Sequence, residues 1–322
     1  MSGKSAPAAA EVSVRRPRSG VRRHTAHYLV LLGGVLMVAS ASIMIRGAQQ
    51  LGLPSPTIAA GRVGLAALIL LPIALLRAWP EIRALRRRDI LLGIGSGAFL
   101  AIHFSAWIMS LEYTSVASSV ALVATNPLWI ALVSVLLLRE RMALTAWLGV
   151  AITVGGSAII AVSDGSGANA RNALLGDALA LIGALVMSGY MLIGRALQRR
   201  LSTLAYVWLV YTSAAVILAI AALVAGASAG GAAAAPRAYP AAAYLLLLGL
   251  AVGPQLLGHT AFNWSLRHLS ATFVAVATLG EPIGSALLAL LIFGQGFAPL
   301  QLLGFVLLLA GIVLAAQGER DA

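Results

Sequence analysis

Two stretches of the chain, SLEYTSVASSVALVATNP (110–127) and SLRHLSATFVAVATLGEP (265–282), align without gaps at an offset of 155 residues. Within them Ser110 matches Ser265, Leu111 matches Leu266, Ser115 matches Ser270 and Pro127 matches Pro282. Further along, Gly149 and Gly156 match Gly304 and Gly311 at the same offset. The chain therefore contains an internal duplication, and each copy is a candidate folding unit.

The residues around these stretches are strongly apolar. Of the 322 residues, 60% are hydrophobic and only 10% are charged, whereas a soluble domain carries about 25% charged residues. Apolar runs of about 18 or more residues recur, and each can cross a hydrocarbon core about 30 Å thick as a helix. Alternating segments of about 10 residues, typical of outer-membrane barrels, do not occur. The composition predicts an all-α, multi-pass membrane protein.

We predict ten transmembrane helices after a disordered basic cytoplasmic tail at 1–27. The predicted spans are about 28–46, 56–76, 90–110, 114–138, 145–163, 174–194, 204–226, 241–264, 271–293 and 299–317. Spans 3–5 return as spans 8–10, so the first five-helix repeat occupies 28–163 and the second occupies 174–317.

Arginine and lysine residues test this arrangement. With the N-terminus inside, 18 of the 22 fall in cytoplasmic segments, and only Arg46, Arg171 and Arg237 fall outside. Arg62 lies within a span. The asymmetry is the one expected of cytoplasmic loops, and it predicts that both termini are cytoplasmic.

Five spans per repeat is an odd number, so the two halves enter the membrane in opposite directions. Such inverted repeats are common in secondary transporters, whose substrate site lies near the midplane between the repeats. Duplicated halves also occur in channels, which remain an alternative.

Several function classes lack their signals. The net charge of +12 lies in a few arginine clusters that membrane topology explains, so we expect no nucleic-acid partner. The absence of cysteine excludes thiolate metal sites. No GxxxxGK[ST], HExxH or GxSxG motif occurs. We expect no cofactor, no metal and no enzymatic activity, and the expected partners are a small-molecule substrate and membrane lipid.

Polar and aromatic side chains recur on single faces of the predicted spans. Polar groups inside a membrane usually face a cavity or a partner, and residues four apart share a helix face. The candidate cavity residues are Phe99, His103 and Trp107 in span 3, Ser119 and Asn126 in span 4, Tyr190 in span 6, Gln255, His259 and Asn263 in span 8, and Thr278, Glu281 and Ser285 in span 9. Packing between helices is the alternative for each. The two histidines are also candidates for proton coupling, because imidazole titrates near neutral pH.

Pro127 and Pro282 occupy equivalent places in the two copies. Each frees a backbone carbonyl and weakens its helix. The predicted result is either a static kink or a hinge.

Arg62 and Glu281 are charges predicted to lie deep in the membrane. Counted along their spans, their heights differ by about 5 Å. They are candidates for a direct or water-mediated charge pair. The alternatives are an Arg62 that reaches outward to the interface and a Glu281 that acts alone as a proton site.

Four features occur together: the two five-span repeats, the run HFSAWIMSLEYTSVASSVALVATNPLWIALVSVLLLRERM (103–142), the Glu-Pro segment LGEPIGSALLALLIFGQ (279–295) and Arg62 in span 2. In these features the chain resembles the EamA family of the drug/metabolite transporter superfamily. Two departures are Gln295, where the family usually has Glu, and SASIM in span 1, where many members have a Trp-Gly pair.

The resemblance implies an inner-membrane transporter of a bacterium that moves small metabolites by alternating access, often as an exporter. Phe99, His103 and Trp107 lie where similar amino-acid exporters place cavity residues, which favours amino acids as substrates. A cationic-drug exporter is the runner-up, because Glu281 could hold a cation. A membrane enzyme that uses His103 and His259 is the alternative from a different class.

Overall fold

The computed structural model describes residues 19–138, 143–164, 170–228, 238–269, 274, 277–296 and 298–320. The helices are α1 (Ser19–Ala39), α2 (Ala41–Gln50), α3 (Ser55–Arg77), α4 (Trp79–Arg83), α5 (Arg87–Tyr113), α6 (Val116–Val123), α7 (Asn126–Leu138), α8 (Leu144–Asp164), α9 (Ala170–Gln198), α10 (Thr203–Ser228), α11 (Ala241–Leu250), α12 (Thr260–His268), α13 (Gly280–Phe293) and α14 (Pro299–Arg320). A π-helical segment, Ala251–His259, joins α11 to α12. These residues contain no strand, which confirms the predicted all-helical class. The basic tail as far as residue 18 and the Arg139-Glu140 pair lie outside the described residues.

Six helices in the described residues are long and apolar enough to cross a membrane. They are His27–Gln50, Ser55–Arg77, Arg87–Tyr113, Asn172–Gln198, Thr203–Gly226 and Ala241–His268. Four shorter apolar helices, Val116–Ile130, Trp147–Ile160, Gly280–Phe293 and Pro299–Gly311, fall where the other four spans are predicted. A multi-pass membrane protein is confirmed, whereas the number of ten and the cytoplasmic termini stay predictions.

The fourth span is interrupted at its proline. Residues 124–125 form a turn between α6 and α7, so Pro127 stands in the first turn of a new helix. In the other half, residues 278–279 form a turn and Pro282 stands in the first turn of α13. Proline suits this position because backbone N–H groups in the first turn of a helix have no acceptor within the helix, so the absence of an N–H in proline costs no hydrogen bond. Neither proline therefore kinks a continuous helix: each follows a break.

The last helices of the two halves, α8 and α14, pack through glycines at backbone distance. A Cβ added to Gly156 would lie 2.8 Å from the Gly304 carbonyl oxygen, and one added to Gly311 would lie 2.7 Å from the Gly149 carbonyl oxygen. These contacts run in opposite order along the two helices, so α8 and α14 are antiparallel. Gly156 and Gly311 are matching positions of the two repeats, and so are Gly149 and Gly304. When each glycine of one contact is replaced by its match, the other contact results, as expected for two inverted halves related by a two-fold axis.

The two halves also interleave. The third helix of each half packs on the first helix of the other: α5 lies against α9, and the π segment lies against α1. The buried core consequently draws on both halves, and a cavity between these helices is walled by both.

Candidate functional site

A cavity of about 30 Å³ lies at the two helix breaks, with room for one or two waters. Six predicted residues line it: His103, Trp107, Asn126, His259, Thr278 and Glu281. The remaining wall is formed by Val38, Val123, Ala124, Met187, Met191 and Phe262. Both repeats contribute, and Asn126 and Glu281 occupy equivalent positions at the starts of α7 and α13.

Four other predicted residues lie in contacts between helices near the cavity. Tyr190 Oη donates to Asn263 Oδ1 at 2.8 Å and joins α9 to α12. The Ser119 and Ser110 hydroxyls are 2.6 Å apart and join α6 to α5. Ser285 Oγ donates to the Ala39 carbonyl oxygen at 2.8 Å. All three contacts join neighbouring helices, and a role of these four residues in binding stays a prediction.

Phe99 does not reach the cavity. Its side chain is 37% exposed, and its ring lies against α9 at Gly189, where a Cβ would be 2.8 Å from Phe99 Cε1. Residues four apart on a helix drift by about 40° per step, so Phe99 is rotated by about 80° from Trp107. That rotation carries it from the cavity face to the outer face of α5.

Arg62 is fully buried, with 0% exposure, and its Nε donates to Gln255 Oε1 at 2.8 Å. The guanidinium carbon lies 4.1 Å from the centroid of the Phe104 ring and 5.7 Å from that of Trp107. No ion pair joins Arg62 to Glu281: the ion pair in the described part of the chain joins Arg200 to Asp89 at 3.3 Å. The direct form of the predicted pair is thus absent, because Gln255 and Phe104 orient the guanidinium instead. The water-mediated form stays a prediction.

His103 and His259 belong to one aromatic cluster. The His103 and Trp107 rings are stacked at 5.8 Å, and the Phe104 ring meets His259 edge-on at 5.3 Å. His103 Nδ1 lies 3.0 Å from the Gly183 carbonyl oxygen. Since a carbonyl only accepts, this nitrogen carries the proton, and the backbone of α9 fixes the ring orientation.

The π segment contains Pro254 and positions both Gln255 and His259. Such segments are uncommon and often occur at functional sites. Tyr211 Oη, on α10, donates to the Gln255 carbonyl oxygen at 3.3 Å and supports this irregular backbone. One short segment thereby supplies the partner of Arg62 and a wall of the cavity.

Several buried polar atoms at the site have no hydrogen-bond partner among the described groups. They are Arg62 Nη1 and Nη2, Trp107 Nε1, Asn126 Oδ1, Gln255 Nε2, His259 Nδ1 and Asn263 Nδ2. Unpaired polar groups in a low-dielectric interior are costly, so such a cluster indicates a place for water or a polar ligand. No set of three or more His, Asp or Glu side chains suited to a metal ion occurs in the described residues.

Polar contacts join the helices at both ends of the site. At one end, Arg46 Nη2 donates to the Thr114 carbonyl oxygen at 2.7 Å, and Thr114 Oγ1 donates to Asp177 Oδ1 at 2.9 Å. At the other end, the Glu81 carboxylate accepts from Ser202 N and Ser202 Oγ, both at 2.6 Å. At each end, a hydrogen bond therefore joins the two halves: Thr114 to Asp177 at one end and Ser202 to Glu81 at the other.

Sequence reasoning missed Phe104, Phe262 and the two cavity methionines, because an apolar side chain in an apolar span carries no signal. Tyr211 did carry one, since a hydroxyl deep in an apolar helix requires a partner. Its partner is a backbone carbonyl of the π segment, which no residue pattern predicted.

The model of the EamA-like transporter family matches the chain twice, at residues 25–162 and 174–317. Among solved structures, a crystal structure of another protein superposes with a TM-score of 0.62 at 18% sequence identity. The alignment covers 92% of this chain and 99% of that one, and it shows a common fold. Among proteins with curated descriptions, none matches significantly.

Proposed function

Because the chain belongs to the EamA-like transporter family, we propose that it is a secondary transporter that moves amino acids or related small metabolites. It works by alternating access and exports its substrate across a bacterial inner membrane. Membership in a transporter family makes substrate movement, rather than chemistry on the substrate, the expected activity.

The observation that carries this proposal is the cavity at the two helix breaks. Helices broken near mid-span, in repeat-related positions, are the usual substrate sites of inverted-repeat transporters. Here Asn126 is the first residue of one half-helix, Glu281 is the second residue of the other, and both line the cavity. The unpartnered polar atoms around it offer hydrogen-bonding partners to water or to a polar ligand.

The antiparallel contact of α8 with α14 supports alternating access. Two halves related by a two-fold axis can exchange conformations, and the exchange opens the site to the opposite side. Proton coupling is assigned to Glu281 or the histidines, the titratable groups that line the cavity.

Glu281 also favours a second candidate, a cationic-drug exporter. A carboxylate in the cavity wall attracts a cation, so a bound cationic drug should protect Glu281 from carbodiimide modification. Absence of protection would remove this candidate.

The deciding experiment is counterflow in proteoliposomes, with a panel of labelled amino acids and cationic drugs and with or without a pH gradient. We expect saturable exchange of one or more unaltered amino acids, accelerated by a gradient if protons are coupled. Exchange of drugs alone would favour the second candidate. Flux that does not saturate would favour a channel, and a chemically changed substrate would favour an enzyme.

A further inference from the structure

Arginines crowd one short segment at an end of the helix assembly. Residues 77–89, the arginine segment, connect α3 to α5 and contain five arginines and two acids. All five arginine side chains are exposed: Arg77, Arg83, Arg86, Arg87 and Arg88. Membrane topology explains why arginines occur in such a connection, but it does not determine how their charges are partnered.

The two acids of the arginine segment are engaged by the other half of the chain. Glu81 accepts from the backbone N–H and the hydroxyl of Ser202. Asp89, which is 6% exposed, forms an ion pair with Arg200 at 3.3 Å. In the described part of the chain, neither acid forms an ion pair with an arginine of the segment. The five exposed arginines therefore form a cationic surface that the neighbouring carboxylates do not pair.

The end of α5 adds to this positive charge. Arg86 precedes the helix, and Arg87 and Arg88 are its first two residues. The N-terminus of a helix carries a partial positive charge, which favours anions and disfavours cations. Asp89 lies in the same turn, but Arg200 already pairs with it. Three successive arginines at this place are electrostatically unfavourable, and a bound anion would relieve their repulsion.

An exposed apolar surface adjoins the arginines. Leu76 is 85% exposed and Trp79 is 43% exposed, and the two residues flank Arg77. The Arg83 guanidinium carbon lies 5.9 Å from the centroid of the Trp79 ring, a distance at which a cation and an aromatic face attract each other. Tryptophan is enriched at the depth of the lipid headgroups. An apolar surface at acyl-chain depth is thus continuous with a cationic surface at headgroup depth.

We propose that the arginine segment binds an anionic phospholipid, with the phosphate among the exposed arginines and the acyl chains against Ile73, Leu76 and Trp79. Guanidinium groups bind phosphate oxygens through two parallel hydrogen bonds. Clusters of about 4–8 basic residues beside a transmembrane helix attract anionic headgroups. The arginines repel the choline cation of a zwitterionic lipid, and a free phosphate lacks the chains that the apolar surface accommodates.

The proposed lipid site is separate from the cavity between the two halves. No residue of the arginine segment is among those that line that cavity. The inference therefore does not depend on which substrate is transported, and its test needs no transport measurement.

The test compares lipids that have the same acyl chains and different headgroups. The full chain in a neutral detergent is heated with dioctanoyl phosphatidylglycerol, with dioctanoyl phosphatidylcholine, or with glycerol 3-phosphate as the headgroup alone, at equal ionic strength. We expect phosphatidylglycerol to raise the midpoint of thermal unfolding saturably, by about 3–6 °C at roughly ten times its Kd. The other two compounds should raise it by less than about 1 °C, because they bind weakly.

A matched pair of double variants separates the site from net charge. Arg83→Gln/Arg87→Gln removes two charges from the arginine segment and should weaken phosphatidylglycerol binding at least about tenfold, because two charged hydrogen-bonding partners are lost. Arg267→Gln/Arg320→Gln removes the same charge from two other predicted cytoplasmic positions. Salt screens charges that lie far from the bound lipid, so this control should keep the affinity within about twofold of wild type.

Three results would overturn the inference. Equal shifts with the two lipids would mean that the headgroup is not recognised, and equal losses of affinity in the two double variants would mean that only net charge matters. A shift with glycerol 3-phosphate as large as that with phosphatidylglycerol would identify a site for a soluble anion. If Arg83→Gln/Arg87→Gln does not insert into the membrane, the comparison of compounds on the wild-type protein decides. A failure of the transport proposal would change none of these measurements.

Discussion

His103 illustrates how one side chain at this site combines structure and function. Its Nδ1–H donates to the Gly183 carbonyl oxygen, its ring stacks on Trp107, and the residue lines the cavity. The position on α5 could be predicted from the step-of-four pattern. The Gly183 partner could not, because it depends on how α9 is seated against α5.

We predict that His103→Ala lowers transport roughly tenfold while the protein still inserts into the membrane. The change removes the hydrogen bond to the Gly183 carbonyl oxygen and leaves a space in the packed aromatic cluster, at a cost of about 1–3 kcal/mol of stability. Counterflow rates and thermal unfolding in detergent measure the two effects. His268→Ala, an exposed histidine at the end of α12, is the matched control, and wild-type flux in His103→Ala would refute a role in the cavity.

At the scale of helices, replacement by valine should destabilise the protein at one of two adjacent glycines of α8 and have little effect at the other. A Cβ on Gly156 would lie 2.6 Å from Leu308 N, whereas one on Gly155 would meet nothing within 4 Å. Gly156→Val should therefore separate α8 from α14 and cost about 1–3 kcal/mol of stability or more. Gly155→Val should stay within about 1 kcal/mol of wild type in thermal unfolding, and equal losses would argue against this helix contact.

The connection from α4 to α10 gives a second prediction at this scale. Glu81 accepts from the backbone N–H and the hydroxyl of Ser202, and the same hydroxyl accepts from Ala205 N at the start of α10. Glu81→Ala should cost about 1–2 kcal/mol, since it leaves these donors to solvent at a partly buried place. Thermal unfolding checks this against Arg86→Gln, an exposed neighbour, and identical stability of the two variants would contradict it.

At the scale of the whole molecule, the absence of cysteine makes topology directly measurable. If the N-terminus is cytoplasmic, the end of α2 faces outward and the segment before α5 faces inward. In intact cells, a membrane-impermeant maleimide should label Gln50→Cys, whereas Arg86→Cys should react only after permeabilisation. Both positions are exposed. Labelling of both from outside, or the reversed pattern, would overturn the predicted orientation.

The fold was more predictable than the site because the two depend on different information. Apolar length and the repeat at 110–127 and 265–282 are properties of the chain itself, and they led to the all-helical, duplicated membrane protein. The site depends on helix rotation. The spacing of four residues put His103 and Trp107 on one face of α5, and both line the cavity. The spacing could not show that Phe99, eight residues before Trp107, is turned away from it.

The sequence by itself determined the membrane environment and the duplication, because hydrophobicity and repeated residues are properties of the chain alone. It predicted a kink or a hinge at Pro127 and Pro282, whereas the structure has a turn before each proline and a new helix that begins there. Only the tertiary structure decided which groups meet Arg62. Gln255 Oε1 accepts a hydrogen bond from Arg62 Nε, and the Phe104 ring lies against the face of the guanidinium. Glu281, at the start of α13, forms no ion pair with it. The reason is geometric. The position of a residue along its span gives its depth in the membrane, but contact with a partner also depends on the direction of the side chain around the helix axis. The packing of the helices against one another sets that direction.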